Sequence, residues 1–350
     1  MPLDENKLQQ FMGKMVGDMG AAMGAALVYI GDQLGLYKAM SGAGLISSHD
    51  LAKGTGTDER YVREWLAAQA AAGYLDYDAQ TNRYGLSPEQ EMVFATEGSP
   101  VFVAGAFEIL MAVFADADKI VDAFRTGRGV GWHEHDARLF RGTERFFRPS
   151  YAAHLLSEWI PALDGTLNKL QQGASVADVG CGHGSSTVLM AKAFPKSEFV
   201  GFDYHQASLD RAAQAAKESG VSNVRFERAT AKDYRGSNYD LVAFFDCLHD
   251  MGDPVGASAH VRETLSGSGK WMIVEPFAHD AVQENLNPVG RLFYSASTMI
   301  CTPASKSQEV GLALGTQAGE ARLREVVMAG GFERFRRVAE TPFNMVFEAA

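Results

Sequence analysis

Cysteine is scarce in this sequence. Cys181, Cys247 and Cys301 are the only three among 350 residues, and they lie far apart with no C-x-x-C pair. Such spacing suggests neither a zinc site nor a disulfide framework, and a reducing compartment is its natural setting. Long apolar runs are also missing. The most apolar early stretch, Ala21 to Ile30, lies between Asp18 and Asp32 and is too short to span a bilayer. No signal-peptide pattern opens the chain, so a cytoplasmic protein without a membrane partner is expected. Basic residues are outnumbered, with 32 Lys and Arg against 43 Asp and Glu and a net charge of -11. A bulk-acidic chain repels phosphate backbones unless it carries a local basic face, which disfavours nucleic acid as a partner. Repeats and low-complexity segments are absent too.

What is present is an ordinary globular composition, 46% hydrophobic and 21% charged, in a chain long enough for two domains. Residues 8–40 read as helical, rich in Ala and Met and interrupted by Gly. Met-rich apolar helices are usually packing surfaces, and a homodimer through these N-terminal helices is expected. A helix-turn-helix pattern follows. Ser48 is placed to cap a short helix containing Leu51 and Ala52, and Thr57 a second one running through Tyr61, Trp65, Leu66 and Ala70. "GYLDYDAQTNRYGLS" then alternates and turns like the wing of a winged helix, with Tyr74, Leu75 and Tyr77 on one strand and Tyr84 and Leu86 on the other. A winged helix invites a DNA-binding reading. Its second helix, however, carries Asp58, Glu59, Arg60, Arg63 and Glu64, so acids match bases and offer phosphate little net attraction.

From Val176 onward short apolar strands alternate with amphipathic helices: "SVADVG", "EFVGFD", "VRFERA", "DLVAFFD" and "KWMIVEP", then a terminal hairpin of "FERFRRVAET" and "NMVFEA". That succession predicts a doubly wound, Rossmann-like α/β sheet. The expected organisation is a winged-helix and dimerisation domain over 1–95, a helical linker and substrate-covering region over 96–170, and a Rossmann-like domain over 171–350.

The first strand of that domain runs into Asp178-Val179-Gly180-Cys181-Gly182-His183-Gly184 and then a helix. Strand before and helix after is the setting in which a glycine loop binds a ligand, because backbone approaches where any Cβ would collide. Ser185 and Ser186 stand at the helix start, where free N–H groups receive a carboxylate. The glycines fall as G-x-G-x-G rather than G-x-G-x-x-G, and Asp178 stands two residues ahead of the first. A carboxylate there suits the ammonium group of S-adenosylmethionine (SAM) and would repel a dinucleotide's pyrophosphate. Asp203 ends the second strand 25 residues after Asp178, where its carboxylate can accept both ribose hydroxyls.

"VADVGCGHG", "VGFDYH", "FFDCLHDMGDP" and "MIVEPF" resemble the class I SAM-dependent methyltransferases. With the winged helix, the chain is similar to small-molecule O-methyltransferases, and "GWHEHD", "TERFFRP", "ENLNPVGR" and "ETPFN" resemble a bacterial two-domain group of them. The resemblance implies SAM as cofactor and S-adenosyl-L-homocysteine as product, a small-molecule methyl acceptor, and a terminal antiparallel hairpin on the sheet. It also implies that Cys181 and Tyr204 line the cofactor, that the loop at Thr230 and Ala231 approaches the adenine, and that Phe245 and Asp246 face the methionine end. Many members have an acid where this chain has Thr230.

A base is needed only where the acceptor carries a proton. His249, after the fourth strand in "CLHDMGDP", stands on the carboxyl edge where ligands bind. In the resembled O-methyltransferases a catalytic histidine occupies an "HDW" motif, here with Met251 in place of Trp, and Glu275 matches the acid that orients it. The other reading of His249 is structural, binding backbone near the cofactor. Trp132, His133 and His135 in "GWHEHD", together with Phe147, are candidate substrate contacts, and Arg148 or Arg291 could hold an anionic acceptor. No third ligand completes a metal site from His133 and His135, so no metal is expected. Oxygen, nitrogen and sulfur acceptors stay open, as do a SAM-responsive winged-helix regulator and a catalytically silent SAM binder.

Overall fold

The computed structural model describes residues 3–350. They form two compact units. One comprises the residues up to Ala112 together with Arg141–Pro149, the other Val113–Phe140 together with Ser150–Ala350. The segment 96–170 is thus divided between the two.

The first unit opens with α1 (Glu5–Gln33), whose first turn is capped by the Asp4 carboxylate accepting from the Lys7 N–H. The helical stretch expected to reach residue 40 breaks at Gly35, which takes φ +69°, before α2 (Leu36–Met40). α3 (Ser48–Thr55) and α4 (Glu59–Ala71) form the helix-turn-helix. Each cap lies one residue from its expected place: the Ser47 hydroxyl accepts from the Asp50 N–H, and the Asp58 carboxylate accepts from the Arg60 and Tyr61 N–H groups. At Asp58 the reason is reach, since its carboxylate bridges two free N–H groups at once. The wing is narrower than its alternation suggested. β1 (Asp76–Asp78) and β2 (Arg83–Gly85) pair antiparallel in three residue pairs, while Tyr74 and Leu86 pack against the unit's core. α5 (Pro88–Phe94) follows with a complete capping box between Ser87 and Gln90.

Trp65, Leu66, Tyr37, Met40, Leu51 and Val28 make that core. Gly31 of α1 lets the Trp65 ring lie against the helix, because a Cβ there would meet Trp65 Cζ2 at 2.5 Å. The buried Tyr37 hydroxyl donates to Gln69 Oε1 at 2.6 Å and the Trp65 indole N–H to the Leu27 carbonyl at 2.8 Å, so both aromatic polar tips are satisfied. The other half of α1 is uncovered within the chain: Leu8, Phe11, Met12, Val16, Met19 and Met23 are exposed.

The second unit is built on seven strands: β3 (Ser175–Val179), β4 (Glu198–Asp203), β5 (Val224–Arg228), β6 (Tyr239–Phe245), β7 (Leu265–Pro276), β8 (Phe335–Glu340) and β9 (Asn344–Ala349). Their order is β5-β4-β3-β6-β7-β9-β8. The first five are parallel, and β9 and β8 add the antiparallel end. Winding runs outward from β3 to β5, then returns to β6 on β3's other side. The carboxyl ends of β3 and β6 therefore flank the crevice in which doubly wound sheets bind ligands. β3 and β6 are buried along nearly their whole length, as strands covered by helices on both faces must be.

Val113–Phe140 belongs to this unit as a strap. It contains a helix, Ala117–Thr126, and a short turn, Trp132–Glu134. The Val130 N–H donates to the Pro303 carbonyl at 3.0 Å, and Gly129 permits this, since a Cβ would lie 2.0 Å from the Ser307 nitrogen.

Candidate active site

The glycine loop leaves β3 with Gly180, Gly182 and Gly184 at φ +76°, +52° and +77°, conformations that side chains rarely adopt. A Cβ on Gly182 would meet nothing within 4 Å, so backbone there borders open space. The loop is locked to β4. Asp203 accepts from the Gly182 N–H at 3.0 Å through one oxygen and from the His205 N–H at 2.8 Å through the other. Each oxygen retains acceptor capacity.

Asp178 is fully buried. Its Oδ2 accepts from the Ser186 hydroxyl at 2.7 Å and the Thr187 hydroxyl at 2.6 Å, while Oδ1 has no hydrogen-bond partner. The Ser186 hydroxyl thus turns inward to the acid. Burial pushes the Asp178 carboxyl up to about 6 against the pull of the two hydroxyls, and the same cause raises Asp203. Asp246, at the end of β6 with φ +51°, accepts from the Tyr151 hydroxyl at 2.9 Å and the Asn344 amide at 2.7 Å. Burial, then the nearby Glu275 charge, push it up to about 8. Buried acids with raised pKa values lack a compensating positive charge. No cation is ion-paired with these acids among the described residues, and Asp178 Oδ1 is a buried acceptor without a hydrogen-bond partner.

His249 and Glu275 come together. His249 Nδ1 lies 2.6 Å from Glu275 Oε2, and Glu275 Oε1 accepts from the Leu248 N–H at 2.9 Å. A carboxylate held at both oxygens fixes the imidazole's orientation. Burial alone would lower the His249 pKa, but Glu275 and Cys301 outweigh it and hold the pKa well above its ordinary value. The adjacent Asp250 accepts from the Trp132 indole N–H at 2.7 Å, and burial pushes it up to about 6.

The remaining candidates divide. Trp132 reaches the site through Asp250. His133 lies edge-on to Tyr204 with ring centroids 6.2 Å apart. Tyr204 is partly exposed, and burial of its hydroxyl raises its pKa. Phe245 is buried at the end of β6 against Tyr151. Thr230 donates its hydroxyl to Asp233 at 2.8 Å with Ala231 beside it, and Cys181 is buried inside the glycine loop. His135 is buried, with Nδ1 2.8 Å from Asp116 Oδ2 and Nε2 without a hydrogen-bond partner. Arg148 stands in the first unit. It is ion-paired there with Glu97 at 2.6 Å and Glu144 at 3.4 Å. Phe147 packs edge-on against Phe146, and Arg291 is exposed on the helix Pro288–Ala296. Sequence reasoning missed Thr187, Asp250, Asn344 and Cys301. Asp250 had a signal in its place beside His249. Asn344 and Cys301 had none, because only the folded sheet and the helix after it bring them here.

Comparison with known proteins matches both parts of the chain. Residues 170–319 match the family model described as a methyltransferase domain, and residues 21–96 match the one described as an Rv2258c-like winged HTH domain. Among curated relatives, the ubiquinone biosynthesis O-methyltransferase of Bordetella avium is 34% identical over 154 residues, covering 43% of this chain and 58% of that protein. The chain spans about half the length of the curated relatives it matches. Human N-acetylserotonin methyltransferase, solved in complex with SAM, superimposes with a TM-score of 0.72 at 14% identity, covering 100% of this chain and 99% of the other. Mitomycin 7-O-methyltransferase does so with a TM-score of 0.67 at 16% identity, covering 98% and 99%. At these identities the structural likeness establishes the shared fold. The chain joins an N-terminal Rv2258c-like winged helix-turn-helix domain to a Rossmann-like methyltransferase domain.

Proposed function

We propose that this protein is a SAM-dependent methyltransferase acting on an oxygen, nitrogen or sulfur nucleophile of a small molecule. The observation that carries the reading is the set of buried acids around the glycine loop, above all Asp178 with an unpartnered oxygen. When bound, SAM supplies an activated methyl group for in-line displacement. Asp178 and the loop backbone at Gly180, Cys181, Gly182 and Gly184 would hold its amino-acid end, with the N–H groups at Ser185 and Ser186 toward its carboxylate. Asp203 would hold the ribose, and Thr230, Ala231 and Tyr204 would border the adenine. Phe245 and Asp246 would wall the side where the methyl group sits.

Alignment is the main task of such a site. Where the acceptor carries a proton, the His249–Glu275 pair is placed to take it. Glu275 would keep Nδ1 protonated and leave Nε2 as the accepting atom. A raised pKa makes the neutral imidazole a stronger base and reduces the fraction that is neutral at a given pH. Trp132, positioned by Asp250, and His133 would border the acceptor. The reading is tested by incubating the full chain with SAM and a panel of phenols, amines and thiols and following S-adenosylhomocysteine. Turnover with any acceptor supports it; SAM binding without turnover across the panel would favour the silent binder.

The winged helix fits assembly better than DNA. Arg60 and Arg63 of α4 are answered by Glu64 and Glu59 at 2.6 and 2.5 Å. The exposed apolar residues of α1 are suited to a second copy, so a homodimer is part of the proposal. No helix among the described residues is long and apolar enough to cross a membrane, and a cytoplasmic setting completes the reading.

A further inference from the structure

Three buried side chains at the carboxyl edge of the sheet offer different donor atoms to one point. A nitrogen of His249, a carboxylate oxygen of Asp250 and the sulfur of Cys301 all lie within 4.8 Å of one another. We propose that His249, Asp250 and Cys301 form a binding site for a thiophilic divalent cation, with zinc the best match.

The surrounding hydrogen bonds carry this beyond proximity. Glu275 engages His249 Nδ1 at 2.6 Å, which leaves the lone pair of Nε2 for a ligand and reproduces the carboxylate–histidine–metal arrangement that orients metal-binding imidazoles. The Cys301 sulfur lies within 4.8 Å of a ring nitrogen of the same imidazole, so it shares the buried space beside that ring. Asp250 is held from behind by the Trp132 indole N–H at 2.7 Å, again as an outer partner steadies a ligating carboxylate. Cys301 ends a π-helical turn, Ser297–Cys301, that interrupts the helix after Ala296. Such turns are concentrated at functional sites.

The donor set selects the ion. Thiolate and imidazole favour zinc over magnesium or calcium. Three protein ligands leave a fourth tetrahedral position open, as in catalytic zinc sites. Zinc bonds of about 2.0–2.3 Å put ligand atoms roughly 3–4 Å apart, so closing on the ion asks for a side-chain movement of about an ångström. The expectation of no metal came from spacing: Cys301 follows Asp250 by 51 positions and belongs to no motif. Zinc binding is separate from methyl transfer and is read without turnover. With the ion bound, His249 is a ligand, and its proton-accepting role belongs to the ion-free protein.

The test is equilibrium dialysis of the reduced, full-length protein against zinc, with cobalt(II) as spectroscopic probe. One zinc per chain is expected, and cobalt should give a thiolate charge-transfer band on the unaltered chain. Cys301→Ser and Asp250→Asn, shown to be folded by circular dichroism, should each weaken zinc by more than about 100-fold, and Glu275→Gln by about 10–100-fold. Cys247→Ser should bind as wild type does. Absence of zinc binding, a cobalt spectrum without the thiolate band, or unchanged affinity in folded Cys301→Ser and Asp250→Asn would overturn the site. The cobalt spectrum reads sulfur ligation even if a variant fails to fold.

Discussion

The imidazole of His249 and the carboxylate of Glu275 meet at 2.6 Å with both side chains buried. The two residues sit 26 positions apart, one after β6 and one near the end of β7. The parallel register of those strands, Phe245 opposite Val274, makes them neighbours.

From that pairing follows a kinetic prediction. With a hydroxyl acceptor and no added metal, His249→Ala should lower kcat by about 10²–10⁴ while SAM affinity stays near wild type. Glu275→Gln should lower kcat less, since the ring loses its charged partner but keeps its place. Near-full activity of His249→Ala on a hydroxyl acceptor would remove the base assignment.

On the proposed reading, Asp178 should make cofactor binding depend on pH. Its folded-state pKa is raised to about 6, and an ammonium donor favours its ionised form. Above pH 6 the carboxylate is charged and affinity should be flat. Below pH 6 binding must expel a proton, and affinity should fall toward tenfold per pH unit. Calorimetry between pH 5 and 8 measures this, and Asp178→Asn should flatten the profile at low affinity.

Much of this was legible in the chain. The alternation of strands and helices gave away the sheet because parallel strands buried on both faces must be continuously apolar. The glycine loop and Asp203 were legible because ligand approach demands residue types at fixed offsets. Other features were not. Ser47 and Ser48 are both capable caps, and the choice rests on the path of the loop before them. The His135 contact to Asp116 was not legible, because nothing in "GWHEHD" signals an acid 19 positions upstream. Cys301 and Asn344 reach the site only through tertiary packing.

Trp271 tests the sheet itself. It is fully buried in β7 between Phe244 and Phe332, at ring distances of 5.0 and 5.3 Å. Trp271→Ala should destabilise the methyltransferase domain by about 3–5 kcal/mol, read from chemical denaturation. A loss below about 1 kcal/mol would mean the core there collapses around the gap.

The exposed apolar side of α1 predicts assembly. Light scattering should find a dimer at micromolar concentration. Replacing Met12, Met19 and Met23 with Glu should yield a folded monomer, because burying unpaired charge at an interface is strongly unfavourable. A wild-type monomer at tens of micromolar would contradict the assignment.

Calorimetry of cofactor binding tests the central claim most directly. S-adenosylhomocysteine should bind one site per chain with micromolar affinity. Asp203→Ala should weaken it by about 1–3 kcal/mol through the lost charge-assisted hydrogen bonds to the ribose. No binding of SAM or S-adenosylhomocysteine, or a preference for NAD over both, would contradict the account.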